Sequence, residues 1–342
     1  MTEQICEQGR AIHMRQDGRW PHLPSRILFS HGMPSHLMYI EPLSVHAYTS
    51  AIVSARRQVT ALDIGSNVGA YAVFAALLHA QVVAVDMQPR CVEMIRCNLK
   101  ANKLVADVKL GYVARDNVSE LIKVPDDDCT TMASPTAVAG RYPHGLMQRK
   151  SRIIYGTDNR THILSPHMRL LPVPPLHFGA FLLASKQLRA PVKVVKIDTE
   201  GYEIAVLAAL RPIWGTLDQV ILELQPRSWH YANVTQAQGL RTLHELMRSR
   251  RFQVVTMPHA NPREDTARAI ANWTACKVPF LPDTHPRAEF VPGKGIRSSR
   301  RFHFRGLAQY VSNVYNNPSA HGWFSEILLT NICGDHGGDS DL

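Results

Sequence analysis

The amino-acid sequence predicts an α/β fold: a doubly wound, mostly parallel sheet of seven strands. Three observations carry that expectation. Short apolar, β-branched runs alternate with segments of helical spacing along much of the chain. The strand-like runs are almost continuously apolar, which fits strands covered on both faces. The chain of 342 residues is 45% hydrophobic and 19% charged. Such a composition supplies a substantial core and excludes disordered, collagen-like and disulfide-scaffold classes.

The elements follow in order. Residues 1–40 hold three prolines and scattered charges, and read as an N-terminal arm or irregular cap. Glu41–Arg57 is helical, with Leu43, Ala47 and Ala51 on one side. Val59–Ile64 is a short buried strand, and Val68–Leu78 an alanine-rich buried helix. Gln81–Asp86 is the second strand. Arg90–Ala101 is a helix with Val92, Ile95 and Leu99 at helical spacing. Val105–Val113 is the third strand and Val192–Asp198 the fourth. A helix over Gly201–Leu210, a strand at Gln219–Leu224 and a helix over Thr235–Arg250 come next. Strands at Phe252–Thr256 and Phe324–Thr330 complete the set. The main domain thus spans 41–333, with long insertions at 115–191 and 257–323, and 334–342 reads as a disordered tail.

The net charge of +10 invites a nucleic-acid partner. Its distribution argues otherwise. Arg141–Leu170 carries six basic residues against Asp158, and Arg287–Arg305 six against Glu289. These two segments account for the whole excess, and each lies in one insertion. Arg297–Arg305, with Phe302 and Phe304 interleaved, is the most nucleic-acid-like feature, though a solvated basic loop is the more common explanation of such a run.

The six cysteines form no CxxC and the seventeen histidines no HExxH, so no metal site is expected. The even cysteine count permits disulfides, but the spacing defines no framework. The first thirty residues lack an uninterrupted apolar core, and Val68–Val85 reads as a helix followed by a strand, not a membrane span. The expected location is therefore soluble and, by default, cytoplasmic. Four N-x-S/T sequons, at Asn117, Asn159, Asn233 and Asn272, point weakly the other way.

The chemistry concentrates at two strand ends. The first is Asp63-Ile-Gly65-Ser66-Asn67-Val-Gly69. Gly65 allows a tight turn, Gly69 a close approach, and the following helix offers free N–H groups to a polar ligand. Asp86 closes the second strand, where an acid accepts hydrogen bonds from ribose hydroxyls. A dinucleotide site wants G-x-G-x-x-G, whereas here the pattern is D-x-G-x-x-x-G, and Asp63 would repel a pyrophosphate. Asp63 instead suits the ammonium of a methionine moiety, which favours S-adenosylmethionine over NAD. No Walker pattern is present. The second strand end is Lys196-Ile-Asp198-Thr-Glu200-Gly201-Tyr-Glu203, where three acids crowd the expected ligand edge of the sheet.

These two motifs, Asp63–Ala76 and Val194–Leu210, resemble those of the FkbM-type methyltransferases, D-x-G-A-N-x-G and K-x-D-x-E-G-x-E. Val220–Pro226 also resembles that family's fifth strand, and Asp86-Met-Gln-Pro89 its acid followed by proline. The likeness spans about 41–256 plus the last strand. The chain departs from the pattern at Ser66, in place of Ala, and in the length of its first insertion. The resemblance implies a Rossmann-like, class I methyltransferase-like sheet and S-adenosylmethionine-dependent methyl transfer, usually to an oxygen of a sugar, glycan or small molecule. It implies cofactor contacts at Asp63, Gly65, Ser66, Asn67, Gly69 and Asp86, and an active-site rim at Asp198, Glu200 and Gly201. Asp198 or Glu200 is the expected base, with His162, His167 and His177 as alternatives in the first insertion. A nucleic-acid acceptor is possible but not favoured, because Asp198-Thr-Glu-Gly lacks the Pro-Pro-aromatic run of N6-adenine enzymes. A dinucleotide-dependent oxidoreductase and a non-catalytic binding protein are the competing readings.

Overall fold

The computed structural model describes residues 10–13, 22–24, 26–29, 41–55, 57–114, 122–125, 129, 152–154, 161–163, 170–178, 182, 190–257, 275–277, 301–302, 304–316 and 325–331. The tail at 334–342, His167 and most of both basic segments lie outside them.

Eight strands form the main sheet: β1 (Thr60–Ile64), β2 (Gln81–Asp86), β3 (Asp107–Leu110), β4 (Val192–Ile197), β5 (Gln219–Leu224), β6 (Gln253–Met257), β7 (Arg301–Phe302) and β8 (Ser325–Thr330). Their order is β7-β6-β8-β5-β4-β1-β2-β3. The five strands from β3 to β5 are mutually parallel, and β8 runs antiparallel between β5 and β6. This is the doubly wound, mostly parallel α/β sheet that the sequence predicts, with one addition. The two-residue edge strand β7 pairs antiparallel with β6, from within the second insertion. The third predicted strand is also broken: Asp107–Leu110 stays in the main sheet, while Tyr112–Ala114 pairs with Pro175–His177.

Among the described residues, six helices cover the sheet: α1 (Pro42–Ser54), α2 (Ala70–Leu77), α3 (Pro89–Ala101), α4 (Glu203–Ala209), α5 (Gln236–Arg250) and α6 (Phe304–Tyr315). Local chemistry sets several of their starts. Prolines open α1 and α3, where the missing N–H is no loss. Thr235 and Gln238 form a reciprocal capping box on α5. Helix α6 is absent from the sequence-based expectation, which left its residues inside the second insertion.

The period-two alternation of the strands sorts the core into two layers. Leu62, Ile64, Val195, Ile197, Val220 and Leu222 meet α4, α5 and α6 on one face. Ala61, Val194 and Ile221 meet α1, α2 and α3 on the other. The arm region joins the second layer: Arg10–His13 pairs with Arg26–Phe29, and Leu23, Ile27 and Phe29 are buried there. Asn102, just past α3, fastens this strand through both backbone groups of Leu28.

Candidate functional site

The chain runs from β1 outward through β2 to β3, then returns to place β4 on the other side of β1. The carboxyl ends of β1 and β4 therefore border a topological switch point, where open α/β sheets hold ligands. Both predicted motifs lie there.

The loop after β1 is shaped by contact with β4. Gly65 has φ +78, and a Cβ on it would lie 1.7 Å from the Asp198 carbonyl oxygen. Its glycine is thus demanded by the neighbouring strand. Gly69, also at φ +78, would drive a Cβ to 2.9 Å from Ile95 of α3. The close approach expected of this glycine is that of helix on helix. Asn67 adopts a left-handed φ of 51, tolerable for Asn but still needing support. Support comes from Asp86, whose carboxylate accepts from the Asn67 N–H at 2.8 Å and the Gln88 N–H at 2.8 Å. Ser66 donates its hydroxyl to the Asp63 carbonyl at 2.6 Å, and Asn98 reaches the Val68 carbonyl at 2.6 Å.

Asp63 is only 1% exposed and sits beneath this loop. Its carboxylate accepts from the Ala72 N–H at 3.0 Å, tying the strand end to the first turn of α2. Burial pushes its pKa up to about 7, against the lowering pull of Lys196. Burial likewise raises Asp86 to about 6.

Strands β1, β4 and β5 also send charged residues toward α1, at positions where the core layer is otherwise apolar. Lys196 pairs in register with Asp63, and Glu223 follows Ile221 by two. Lys196 is 1% exposed. Its ammonium lies 3.3 Å from Asp198 and 3.7 Å from Glu41, and 5.4 Å from the Tyr71 ring centroid. The Tyr71 hydroxyl donates to Glu41 at 3.0 Å. Ligand atoms of Glu41, Asp198 and Glu223 all lie within 4.8 Å of one another, a spacing a metal ion would accept. Here the Lys196 ammonium stands between two of them as the cation.

The turn after β4 adds Glu200, at φ 52, and Gly201. Glu200 accepts from the Gln225 amide at 2.6 Å, and the same amide reaches Glu223 at 2.7 Å. Burial and the nearby Asp198 carboxylate push Glu200 up to about 7. Glu203 is fully buried, accepting from the Gly201 N–H at 2.5 Å and the Trp229 indole at 3.1 Å. It holds the turn to the 3-10 helix Pro226–Ala232. Thr199, between the acids, has a buried hydroxyl with no partner among the described residues.

Glu203 makes a pH prediction. Burial raises its pKa to about 8, above the value of an exposed carboxyl. An acid raised on folding binds a proton more tightly in the folded chain, so its contribution is greatest at low pH and is lost as pH rises. The stability advantage of wild type over Glu203→Gln should therefore shrink between about pH 5 and pH 8, by at most about 1.4 kcal/mol per pH unit. Urea unfolding at several pH values reads this directly; an advantage that grows with pH contradicts it.

The structure thus brings Asp63, Gly65, Ser66, Asn67, Gly69 and Asp86 to one edge of the switch point and Asp198 and Glu200 to the other. Asp198 is close enough to raise the pKa of Asp63, Asp86 and Glu200 alike. His177 lies on a strand paired with Tyr112–Ala114, while the His162 side chain is outside the described residues. The sequence does not mark Glu41 or Gln225 for the site, because their approach to Lys196, Glu200 and Glu223 is tertiary. Nor does it mark the Cys91–Cys129 disulfide beside Asn67.

A mostly parallel sheet of this order, with β8 reversed inside it, β7 reversed at its edge and an acid-lined glycine loop at the switch point, is a class I methyltransferase-like fold. Solved structures similar to the chain include the O-methyltransferase from Bacillus cereus in complex with SAH, at 14% identity, covering 74% of this chain and 82% of that one, with a TM-score of 0.33. The plantazolicin methyltransferase BpumL in complex with a pentazolic desmethylPZN analog and SAH is 11% identical, over 96% and 98% of the two chains, with a TM-score of 0.34. The precorrin-6y C5,15-methyltransferase from Geobacter metallireducens GS-15 is 15% identical, over 62% and 72%, with a TM-score of 0.27. No protein-family model matches the chain, and no curated protein matches it. Among the described residues, no helix is long and apolar enough to cross a membrane.

Proposed function

We propose that the chain is an S-adenosylmethionine-dependent methyltransferase acting on a hydroxyl oxygen of a sugar, glycan or small molecule. The observation that carries this reading is the convergence of the glycine loop, Asp86 and the Asp198–Glu200 turn on one switch point. The residues suit the cofactor's chemistry. Asp63, Asp86, Asp198 and Glu200 crowd this edge, with Lys196 beside Asp198, so the crevice favours a cationic ligand and opposes a pyrophosphate. A carboxylate has about four acceptor sites, so Asp86 keeps room for a ribose hydroxyl beyond its backbone partners Asn67, Gln88 and Met87. The unpartnered Thr199 hydroxyl offers a further polar group.

When bound, S-adenosylmethionine supplies an activated methyl group for in-line displacement. The chain's task is alignment, and a hydroxyl acceptor also needs a destination for its proton. Glu200, raised to about 7, matches a base working near neutrality better than an ordinary carboxylate does. Asp198, held beside the Lys196 ammonium at 3.3 Å, is the second candidate. The same acids oppose the approach of a phosphate backbone, which disfavours nucleic acid as the acceptor.

Replacement of each acid by its amide tests the assignment. Glu200→Gln should lower kcat by about 10²–10⁴-fold and remove the titration near neutrality from the pH profile. Asp198→Asn should lower it less if it serves only to tune Glu200. Unchanged turnover in both variants, on an acceptor that wild type methylates, would remove the proposed base.

A further inference from the structure

The described cysteines are all oxidised. Cys91 and Cys129 are bonded to each other, Cys97 is also in a disulfide, and no described cysteine is free. The first of these bonds has a telling position. Cys91 stands in the first turn of α3, five residues past Asp86. Cys129 belongs to the long connection between β3 and β4. Cys91 is 0% and Cys129 1% exposed, and the two pack with Val68 and Met94 in one small apolar cluster. Val68 lies inside the glycine loop, and the Cys129 sulfur is 3.8 Å from the Asn67 side-chain oxygen.

Asn67 is also the residue whose backbone needs holding. Its left-handed φ of 51 is a conformation that persists only where its surroundings fix it. Asp86 fixes its N–H at 2.8 Å, and the disulfide closes over its side chain and over Val68. The bond therefore backs the loop at Asn67 and Val68, while β4 presses on it at Gly65.

We propose that the Cys91–Cys129 disulfide is a positioning element of the nucleoside site. It fastens the connection after β3 to the glycine loop, so that the oxidised chain is the form competent to bind cofactor. The inference rests on the cofactor reading above. Its chemistry is ordinary thiol–disulfide exchange. A dithiol reductant gives two electrons and two protons, the S–S bond becomes two thiols, and the reductant is left as a disulfide. A chain that depends on this bond also belongs in an oxidising compartment, where such bonds persist. That departs from the default cytoplasmic expectation and agrees with the four sequons, of which Asn233 lies exposed in a turn.

The test is calorimetric titration of S-adenosylhomocysteine into oxidised wild type and into the full chain carrying Cys91→Ala with Cys129→Val, which keeps the cluster apolar. If release lowers the competent loop population to about a tenth, affinity falls about tenfold. Thermal unfolding without ligand accompanies the titration, because a purely structural bond lowers Tm yet leaves the affinity of the folded chain intact. Weakened binding by a folded variant supports the proposal, and equal affinity overturns it. Should that variant not fold, Cys91→Ser with Cys129→Ser, which also lacks the bond and stays closer in side-chain size, takes its place, with the same expected weakening and the same overturning result. A wild type that binds no S-adenosylhomocysteine overturns the cofactor reading and the proposal together. A wild type that binds, with a variant that binds equally, overturns the proposal alone.

Discussion

Gly65→Ala should cost the protein about 4 kcal/mol or more, enough to leave much of the chain unfolded. The added methyl group would lie 1.7 Å from the Asp198 carbonyl oxygen, a backbone atom at the end of a central strand. Neither side can yield cheaply. Moving Asp198 breaks the register that places its N–H 3.0 Å from the Ile64 carbonyl. Moving Gly65 breaks its own N–H bond to the Val85 carbonyl at 2.9 Å. The left-handed φ of +78 adds backbone strain for any residue with a Cβ. Urea unfolding measures the loss. Any folded fraction should bind cofactor poorly, since the same displacement moves both edges of the switch point. A variant within about 1 kcal/mol of wild type would contradict the geometry on which the site is built.

The second large effect is expected at Lys196. Lys196→Met keeps the volume and removes the ammonium that lies between Glu41 and Asp198. Breaking one partner out of a buried charge cluster costs about 3–5 kcal/mol, because the remaining charges stay desolvated and unpaired. The abandoned carboxylates can escape part of that cost by taking up protons. Asp63 and Glu200, which the lysine holds down, move further up, the folded variant then binds protons that the unfolded chain does not, and its stability falls as pH increases. The destabilisation relative to wild type should therefore be smaller near pH 5 than near pH 8. Chemical denaturation at both values tests the sign. A loss that is equal at both would mean that Asp63 and Glu200 do not depend on this lysine.

Much of this molecule is legible in its sequence, for a definite physical reason. The central strands are buried on both faces, so β1, β2, β4 and β5 appear as continuous apolar runs, and each main helix carries a periodic apolar stripe. The two chemical motifs are legible because each breaks such a pattern. Gly65 and Gly69 interrupt a strand–helix junction, while Asp198, Glu200 and Glu203 cluster where a strand should end. The misses share a cause as well. Helix α6 has Leu307, Val311 and Val314 buried at helical spacing, but it lies in a basic, connection-like stretch. The third strand reads as one run because Asp107–Leu110 and Tyr112–Ala114 are separated by Gly111 alone. Glu41 and Gln225 are invisible because their partners are distant in sequence. Cys91 and Cys129 are 38 residues apart, and nothing in their spacing selects that pairing over others.

The roles of the two glycines are sharpened by the structure. The sequence reads Gly65 as allowing a tight turn and Gly69 as allowing a close approach of helix and ligand. Gly65 is pressed on β4 and Gly69 on Ile95, so both are fixed by packing before any ligand arrives. The loop between them is consequently preformed, held by Asp86, Asn98 and the Cys91–Cys129 bond.

Isothermal titration of the wild-type chain with S-adenosylhomocysteine, and separately with NAD, tests the central claim most directly. The account predicts saturable binding of S-adenosylhomocysteine, weakened by Asp86→Asn, and no binding of NAD. Binding of NAD alone would make the switch point a dinucleotide site, and binding of neither would leave the fold without the cofactor on which the proposed reaction depends.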